Sequence, residues 1–187
     1  MPPGFRYQEN FLTESEEQTV ADELAKLPFK PFDFHGYQGN RRVVSFGLRY
    51  DYDRRAVEVA APPPQFLEDL RARAAAFAGH SPDDIRQVGI NEYRPGAGIG
   101  WHRDKSQFGD VIGVSLLSPV KMRFRKPEGD TFLRASKILA PRSIYLMSAD
   151  SRRLWYHSTP PIEALRFSIM FRTLATPDTP IEDLERV

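Results

Sequence analysis

The sequence contains no cysteine in 187 residues. This absence excludes disulfide scaffolds, thiolate zinc sites, iron–sulfur clusters and cysteine nucleophiles. Histidine is also scarce, with only four residues: His35, His80, His102 and His157. Any metal would therefore have to be bound through imidazole and carboxylate groups.

Long apolar runs and an excess of one charge are missing as well. No stretch approaches the roughly 20 apolar residues that a membrane-spanning helix needs. The N-terminal segment has no cationic stretch followed by an apolar core, so we expect a cytoplasmic protein, monomeric and without a membrane partner. The 26 basic and 25 acidic side chains give a formal net charge of +1. A strongly cationic nucleic-acid coat protein is excluded, whereas a local basic patch is not.

Two helices are predicted ahead of a β-rich region. The first begins at a capping box, Thr13–Glu16, and ends at Pro28. The second follows the prolines at positions 62–64 and ends at Gly79, a residue type typical of helix C-caps. From about residue 85 onward, short apolar runs alternate with glycine and proline turns, which favours an antiparallel sandwich or barrel.

The expected strands are rich in valine, isoleucine, phenylalanine and leucine: Val88–Tyr93, Val111–Leu117, Met122–Arg125, Ser143–Met147 and Leu165–Thr173. The segment Phe32–Tyr52 also looks extended and could form a hairpin. Helices first and strands afterwards argue for an α+β fold with a β-sandwich core. The proline-containing residues 176–187 are expected to form a flexible tail.

A His-x-Asp motif suggests a metal site. On a strand, alternate side chains point to one face, so His102 and Asp104 would lie on the same side. His157 is the best remaining candidate for a third ligand. Two histidines and one carboxylate form the facial triad of non-heme Fe(II) oxygenases, which leaves three positions for co-substrate and O2. A lone His-x-Asp is common by chance, so the prediction depends on its context.

Two arginines near the C-terminus supply that context. Arg166 and Arg172 are six residues apart, an even spacing that places both on one face of a strand, with the apolar residues between them on the other face. A buried guanidinium is costly unless an anion pairs with it. A dicarboxylate co-substrate would supply that anion, because arginine matches carboxylate geometry with two donors.

These motifs together resemble the AlkB family of Fe(II)/2-oxoglutarate dioxygenases. The family pattern Asn-x-Tyr-x-x-Gly, His-x-Asp, a distal His and Arg-x5-Arg is present in order, at Asn91, Tyr93, Gly96, His102, Asp104, His157, Arg166 and Arg172. Arg41–Gly47 looks like the nucleotide lid of several members. Leu139–Met147 and the following Arg153–His157 look like the approach to the distal histidine. These stretches are most similar to a branch that modifies wobble uridine in tRNA. The resemblance covers about residues 5–175.

The resemblance implies a fold, a domain and a reaction. It implies an α+β double-stranded β-helix (jelly roll) with N-terminal helices packed on one face. Residues 1–175 would form one dioxygenase domain that includes a nucleotide lid at about residues 32–55. The enzyme would use Fe(II), 2-oxoglutarate as co-substrate and O2, and would release succinate and CO2 while it hydroxylates a substrate C–H bond.

The resemblance also assigns residues to the site. Fe(II) is assigned to three catalytic ligands: His102, Asp104 and His157. The 2-oxoglutarate is assigned to four side chains: Asn91, Tyr93, Arg166 and Arg172. Arg166 would pair with its far carboxylate, and Arg172 would lie closer to the metal. Ser168 stands where several members have asparagine, and its shorter side chain is not assigned to the co-substrate.

Substrate contacts are predicted in the lid and around the His-x-Asp motif, at Arg41, Arg42, Trp101 and Lys105. Arginines interleaved with aromatic residues suit phosphate contact and base stacking. This favours nucleic acid with methylated bases, single-stranded or with a flipped base, over protein. The predicted function is oxidative demethylation of alkylated bases in DNA repair, with RNA as a further substrate.

Two alternatives stay open, and two histidines stay outside the site. The same iron chemistry could hydroxylate a modified tRNA base or a protein side chain. A jelly-roll binding module without activity is disfavoured, because the ligand set is complete. His80 is interpreted as a solvated loop residue, and His35 as a turn position in the lid.

Overall fold

A computed structural model describes residues 1–34, 37–51 and 56–175. The expectations for His35, for the lid residues 52–55 and for the tail 176–187 lie outside the described residues. Within the described ranges, no helix is long and apolar enough to cross a bilayer.

Strands dominate the described part of the chain. In chain order they are β1 (Phe5–Gln8), β2 (Lys30–Phe34), β3 (Tyr37–Phe46), β4 (Leu48–Asp51), β5 (Ala56–Val59), β6 (Gln87–Tyr93), β7 (Ile99–His102), β8 (Phe108–Leu116), β9 (Val120–Glu128), β10 (Thr131–Leu139), β11 (Ser143–Met147), β12 (Tyr156–Thr159) and β13 (Arg166–Leu174). The five strands expected after residue 85 are all present, with ends shifted by a few residues. The composition pattern missed β1, β5 and β10.

The two expected helices are confirmed, and the structure has a short third helix that was not expected. The three are α1 (Glu14–Leu24), α2 (Glu68–Ala78) and α3 (Ala149–Arg153). Thr13 caps α1 in a full capping box, in which the Glu16 carboxylate accepts from the Thr13 amide at 2.7 Å. Gly79 ends α2 with φ of 83°, a left-handed conformation that favours glycine. One-turn 3-10 helices cover Gln65–Leu67 and Pro82–Asp84.

The strands form two sheets that face each other. The large sheet has seven strands in the order β1-β11-β8-β13-β6-β3-β2, and the small sheet has four in the order β10-β9-β12-β7. A separate pair, β4-β5, lies beside them. The pairings between the strands of both sheets are antiparallel. This arrangement confirms the expected α+β jelly roll.

Two apolar cores lie on the two faces of the large sheet. One core joins α1 and α2 to the outer face, with buried Leu24, Leu67 and Ile90 at its centre. We call this face the helix side. The other core fills the space between the sheets, with Phe124 and Met147 among its members. The N-terminal helices therefore cover one face only, as expected.

A buried carboxylate ties α1 to the large sheet. Glu17, 7% exposed, accepts hydrogen bonds from the Leu117 amide at 2.8 Å and from Arg142 at 3.0 Å. A buried charge is tolerated only with such partners, so this contact holds the helix layer in place.

The alternation along β13 sets up the interior between the sheets. Phe167, Ile169 and Phe171 belong to the helix-side core. Arg166 and Arg172 are offset from them by one residue and therefore point to the opposite face. The predicted separation of arginines from apolar residues on this strand is present in the structure.

Candidate metal centre and co-substrate pocket

The small sheet and the loop that follows β7 bring three metal-ligand side chains together. The ligand atoms of His102, Asp104 and His157 all lie within 4.8 Å of one another. His102 on β7 is the direct cross-strand partner of His157 on β12, so both rings point to the same face, with centroids 4.2 Å apart. The His102 Nδ1 lies 2.9 Å from the Gly100 carbonyl. When Nδ1–H donates this bond, Nε2 is free to bind a metal.

Asp104 reaches the cluster in a different way from the one expected. Strand β7 ends at His102, and residues 103–105 have no regular structure, so the argument from strand alternation was wrong for Asp104. The loop is held in place instead. Arg172 Nη2 donates to Asp104 Oδ1 at 3.2 Å, and Arg152 donates to the Asp104 carbonyl at 3.2 Å.

Arg152 anchors the whole loop that follows the His-x-Asp motif. Its guanidinium is buried and donates to the backbone carbonyls of residues 104, 105, 108 and 109. Burial lowers the pKa of Arg152 from its usual value. The sequence reasoning missed this residue, because no motif marks an arginine that binds only backbone carbonyls.

The charge states at the cluster suit a divalent metal. Burial by itself would raise the pKa of Asp104, but the positive charge of Arg172 and the neighbouring histidines hold that pKa well below its usual range. Burial lowers the pKa of His157 to about 3, with His102 adding to the effect. An ionised carboxylate and a neutral imidazole are the forms that bind metal. Two histidines and one carboxylate match the donor set of non-heme Fe(II) sites.

Arg166 lies deeper between the sheets and is 2% exposed. Its Nε donates to the Ser115 hydroxyl at 3.1 Å, and its guanidinium carbon lies 5.1 Å from the centre of the Tyr93 ring. Among the described residues, no carboxylate lies within ion-pair distance of Arg166. A buried guanidinium without an anion is costly, so the site fits the far carboxylate of 2-oxoglutarate.

Two buried tyrosines border Arg166. Burial raises the pKa of Tyr93, and it raises the pKa of Tyr145 to about 12. Both phenols therefore stay protonated at neutral pH and can donate to an anion. A side chain at Gly113 could not coexist with Tyr145, because an added Cβ would lie 2.1 Å from the ring. Tyr145, Ser115 and Gly113 were missed, although all three lie in predicted strands.

The remaining co-substrate candidates line the same face of the large sheet. Asn91 pairs with Ser168 across β6 and β13, and its amide Nδ2 lies 3.6 Å from the sulfur of Met170. Arg172 donates to Gln87 at 2.8 Å as well as to Asp104. The structure thus brings Asn91, Tyr93, Arg166 and Arg172 to one face.

The four predicted substrate contacts separate in the structure. Arg41 pairs with Tyr93 across β3 and β6 and stacks on Phe32 at 3.6 Å, on the side of the pocket. Arg42 lies on the helix side and forms a 2.8 Å ion pair with Glu92. The strand alternation therefore takes Arg42 away from the metal cluster.

The other two predicted substrate contacts, Trp101 and Lys105, lie in different parts of the structure. Trp101 precedes the inward-pointing His102 on β7, so its ring lies on the outer face of the small sheet, beside Arg125 at 4.5 Å. The Lys105 ammonium lies 4.5 Å from the Tyr50 ring. His80 lies at the end of α2 with Asp110 at 3.1 Å, outside the metal cluster.

Comparisons with known proteins agree with this geometry. Residues 4–172 match the sequence model of the 2OG-Fe(II) oxygenase superfamily. The mouse tRNA (carboxymethyluridine(34)-5-O)-methyltransferase ALKBH8 is 31% identical over 170 residues, which cover 86% of this chain and 25% of the mouse protein. An Arabidopsis thaliana alkylated DNA repair protein ALKBH8 homolog is 28% identical over 184 residues, 84% of this chain and 51% of that protein.

Two further relatives extend the comparison. The Escherichia coli alpha-ketoglutarate-dependent dioxygenase AlkB is 28% identical over 120 residues, 58% of this chain and 55% of that protein. The solved structure of OsALKBH1 superposes with a TM-score of 0.71 at 14% identity and covers 92% of this chain and 98% of its own, which shows the shared fold. The chain spans about a quarter of the mouse relative and about half of the plant one.

The matched family uses Fe(II), 2-oxoglutarate and O2. The His102–Asp104–His157 cluster fits the metal, and Arg166, which has no carboxylate partner among the described residues, fits the far carboxylate of 2-oxoglutarate. The chain is an Fe(II)/2-oxoglutarate-dependent dioxygenase and belongs to the AlkB family of the 2OG-Fe(II) oxygenase superfamily.

Proposed function

We propose that the enzyme hydroxylates a modified base in RNA, with tRNA as the substrate class. The proposed oxidation is supported by the His102–Asp104–His157 cluster, which lies beside the buried Arg166. Arg166 has no carboxylate partner among the described residues. The support for RNA is the similarity over most of this chain to the mouse and Xenopus tropicalis proteins named for carboxymethyluridine in tRNA. Their named methyl transfer belongs to proteins about four times longer, so only the substrate class is carried over.

Different residues of the chain would bind the metal, bind the co-substrate and orient the metal ligand Asp104. His102, Asp104 and His157 would hold Fe(II), which with 2-oxoglutarate and O2 supplies the oxidising power for C–H hydroxylation. Arg166, Ser115 and Tyr93 would hold the far carboxylate of the co-substrate. Arg172 would keep Asp104 ionised and oriented. Residues 1–175 would act as one catalytic domain.

A second candidate is oxidative demethylation of alkylated bases in DNA. It is favoured by the similarity to the plant protein that is named for alkylated DNA repair and by the shared chemistry. Hydroxylation of an N-methyl group yields a product that releases formaldehyde, whereas hydroxylation of another carbon leaves the oxygen on the base. The two candidates therefore differ in their products.

The test is a substrate panel with two readouts. Protein reconstituted anaerobically with Fe(II) and 2-oxoglutarate is exposed to air with bulk tRNA, methylated single-stranded DNA, duplex DNA or unmodified RNA. We expect succinate formation to be stimulated by tRNA, and one added oxygen on a tRNA nucleoside by mass spectrometry. Formaldehyde release from methylated DNA, with no change in tRNA, would favour the second candidate. Succinate formation without change in any nucleic acid would contradict both.

A further inference from the structure

The outer face of the small sheet carries an array of arginines and aromatic rings. His157 pairs with Phe124 on β9, and both point into the interior, so their strand neighbours point outward. Tyr156 pairs with Arg125 across β12 and β9, and Arg125 pairs with Arg134 across β9 and β10. We define the outer-face cluster by these residues and their neighbours: Trp101, Arg103, Arg125, Phe132, Arg134 and Tyr156.

Arg125 is the centre of the outer-face cluster. Its guanidinium lies 4.5 Å from the Trp101 ring, 4.8 Å from the Phe132 ring and 5.6 Å from the Tyr156 ring. Around it, Arg103 stacks on Tyr156 at 4.8 Å and Arg134 on Phe132 at 5.7 Å. Cation–π contacts hold guanidinium groups flat against rings, so the sheet presents charged and aromatic planes together.

The arginines of the outer-face cluster have no acidic partner among the described residues. No carboxylate in that part of the chain lies within ion-pair distance of Arg103, Arg125 or Arg134, and the buried Nε of Arg125 has no hydrogen-bond acceptor. The acidic residues nearest to Arg125 and Arg134 along the chain, Glu128 and Asp130, lie at the end of the β9–β10 hairpin, and Asp104, next to Arg103, pairs with Arg172 instead. The positive charge of this face is therefore left for an external anion.

The cluster is continuous with the metal centre. Trp101 and Tyr156 are the immediate neighbours of the ligands His102 and His157. Strand β7 is an edge of the small sheet, and Asp104 lines one groove together with Arg103 and Tyr156, a groove that also includes the acidic Asp84 and Asp110. A single nucleic-acid strand bound across the outer face of the small sheet could therefore pass around the β7 edge, with its target base directed to the metal.

We propose that the outer-face cluster binds the single-stranded RNA that flanks the target base. Guanidinium groups suit phosphate oxygens, and exposed ring faces suit stacking of unpaired bases. Phe132, 37% exposed on an edge strand, is open to such stacking. The proposal rests on the proposed RNA substrate and adds where the chain holds its backbone.

The test measures RNA binding and co-substrate turnover separately. A fluorescein-labelled single-stranded RNA oligonucleotide and bulk tRNA are titrated by anisotropy with the full chain and with Arg125→Gln, Arg134→Glu and Arg125→Lys. We expect about tenfold weaker binding for the first two variants, with a salt slope lowered by roughly 0.7 for each lost phosphate contact. Arg125→Lys should weaken binding less but lose part of the stacking. Arg73→Gln, which removes an arginine paired with Glu16 on the helix side and outside the lid segment, is the matched control.

The possible outcomes distinguish failure of the outer-face proposal from failure of the proposed RNA substrate. RNA-independent succinate formation should be unchanged in Arg134→Glu, whose side chain is exposed and whose folding is therefore secure. Unchanged RNA affinity in Arg134→Glu and Arg125→Gln, with wild-type binding intact, would overturn the surface proposal alone. Wild-type protein that forms succinate but binds no RNA would overturn both proposals. Tighter binding of a DNA oligonucleotide of the same sequence would overturn the assignment to RNA.

Discussion

Arginines on the helix side and arginines around the small sheet have opposite surroundings. On the helix side, Arg42, Arg73 and Arg142 each contact a carboxylate at 2.7 to 3.0 Å. On the side of the small sheet, neither Arg125 on that sheet nor Arg166, which lies between the two sheets, has one among the described residues. The same residue type therefore serves two purposes. The paired arginines fasten helices and strands. Arg125 and Arg166, which have neither a carboxylate nor the set of backbone carbonyls that holds Arg152, lie where the protein can receive an anion.

Arg172 is the informative exception. It lies on the same strand face as Arg166 but pairs with Asp104 at 3.2 Å, a ligand of the metal cluster. Its charge serves the metal ligand, while that of Arg166 remains for the co-substrate. This division of roles can be tested by substitutions whose expected effects differ in size.

The largest effect is expected from removing a metal ligand. His157→Ala should reduce succinate formation to the level seen without added Fe(II), because two remaining ligands cannot hold the facial triad. Iron content and succinate are measured together on the same sample. His80→Ala, which removes a histidine outside the cluster, is the matched control. Full turnover by His157→Ala would remove this histidine from the centre.

Removing the loop anchor should weaken the metal site without touching a ligand. Arg152→Gln frees the backbone carbonyls of the loop that carries Asp104. We expect Fe(II) to bind about 10–100-fold more weakly, as for other groups that orient metal ligands. Anaerobic metal titration measures the affinity. The exposed neighbour Arg153, changed to Gln, should leave it unchanged, and an unaltered affinity in Arg152→Gln would show that the loop needs no anchor.

On the helix side, loss of an arginine should affect stability and leave catalysis intact. Arg42→Gln leaves Glu92, 8% exposed, without its 2.8 Å partner. Only the exposed Arg94, 3.5 Å from the carboxylate, would then remain as a charged partner, and weakening the pairing of a largely buried carboxylate in this way costs about 1–3 kcal/mol. Urea unfolding should show this loss in the free energy of unfolding. A rise in the KM for 2-oxoglutarate in this variant would place Arg42 at the site after all.

The smallest effect is expected at an exposed pair. Arg49 and Glu58 join β4 to β5 at 2.8 Å, but the Arg49 side chain is 59% exposed. Water and salt screen such pairs, so Arg49→Gln should change the free energy of unfolding by less than about 1 kcal/mol. The same urea unfolding experiment measures it. A loss as large as that of Arg42→Gln would mean that burial does not distinguish the two pairs.

The motif order predicted the chemistry of the site better than local geometry predicted its construction. Strand alternation correctly placed Arg166 and Arg172 on one face of β13. The same rule was wrong for Asp104, because β7 ends at His102 and a loop held by Arg152 brings the carboxylate in. A rule based on spacing cannot see where a strand ends or which distant arginine ties down the loop that follows.

Substrate contacts were the least predictable from the sequence. Arg41 and Arg42 are neighbours in an arginine-rich segment, yet the pairing of β3 with β6 directs them to opposite sides of the large sheet. Arg125 was not considered, because its three aromatic partners come from three different strands. Such a cluster exists only after the small sheet has formed.

Arg166 has the central role, as the receptor for the far carboxylate of the co-substrate. The direct measurement compares kcat/KM for 2-oxoglutarate with that for 2-oxopentanoate, which lacks that carboxylate, in the wild type and in Arg166→Met. The wild type should prefer 2-oxoglutarate by about 30-fold or more, since a desolvated charge pair is worth roughly 2–5 kcal/mol. In Arg166→Met the preference should fall close to one. A preference that survives the substitution would contradict the account.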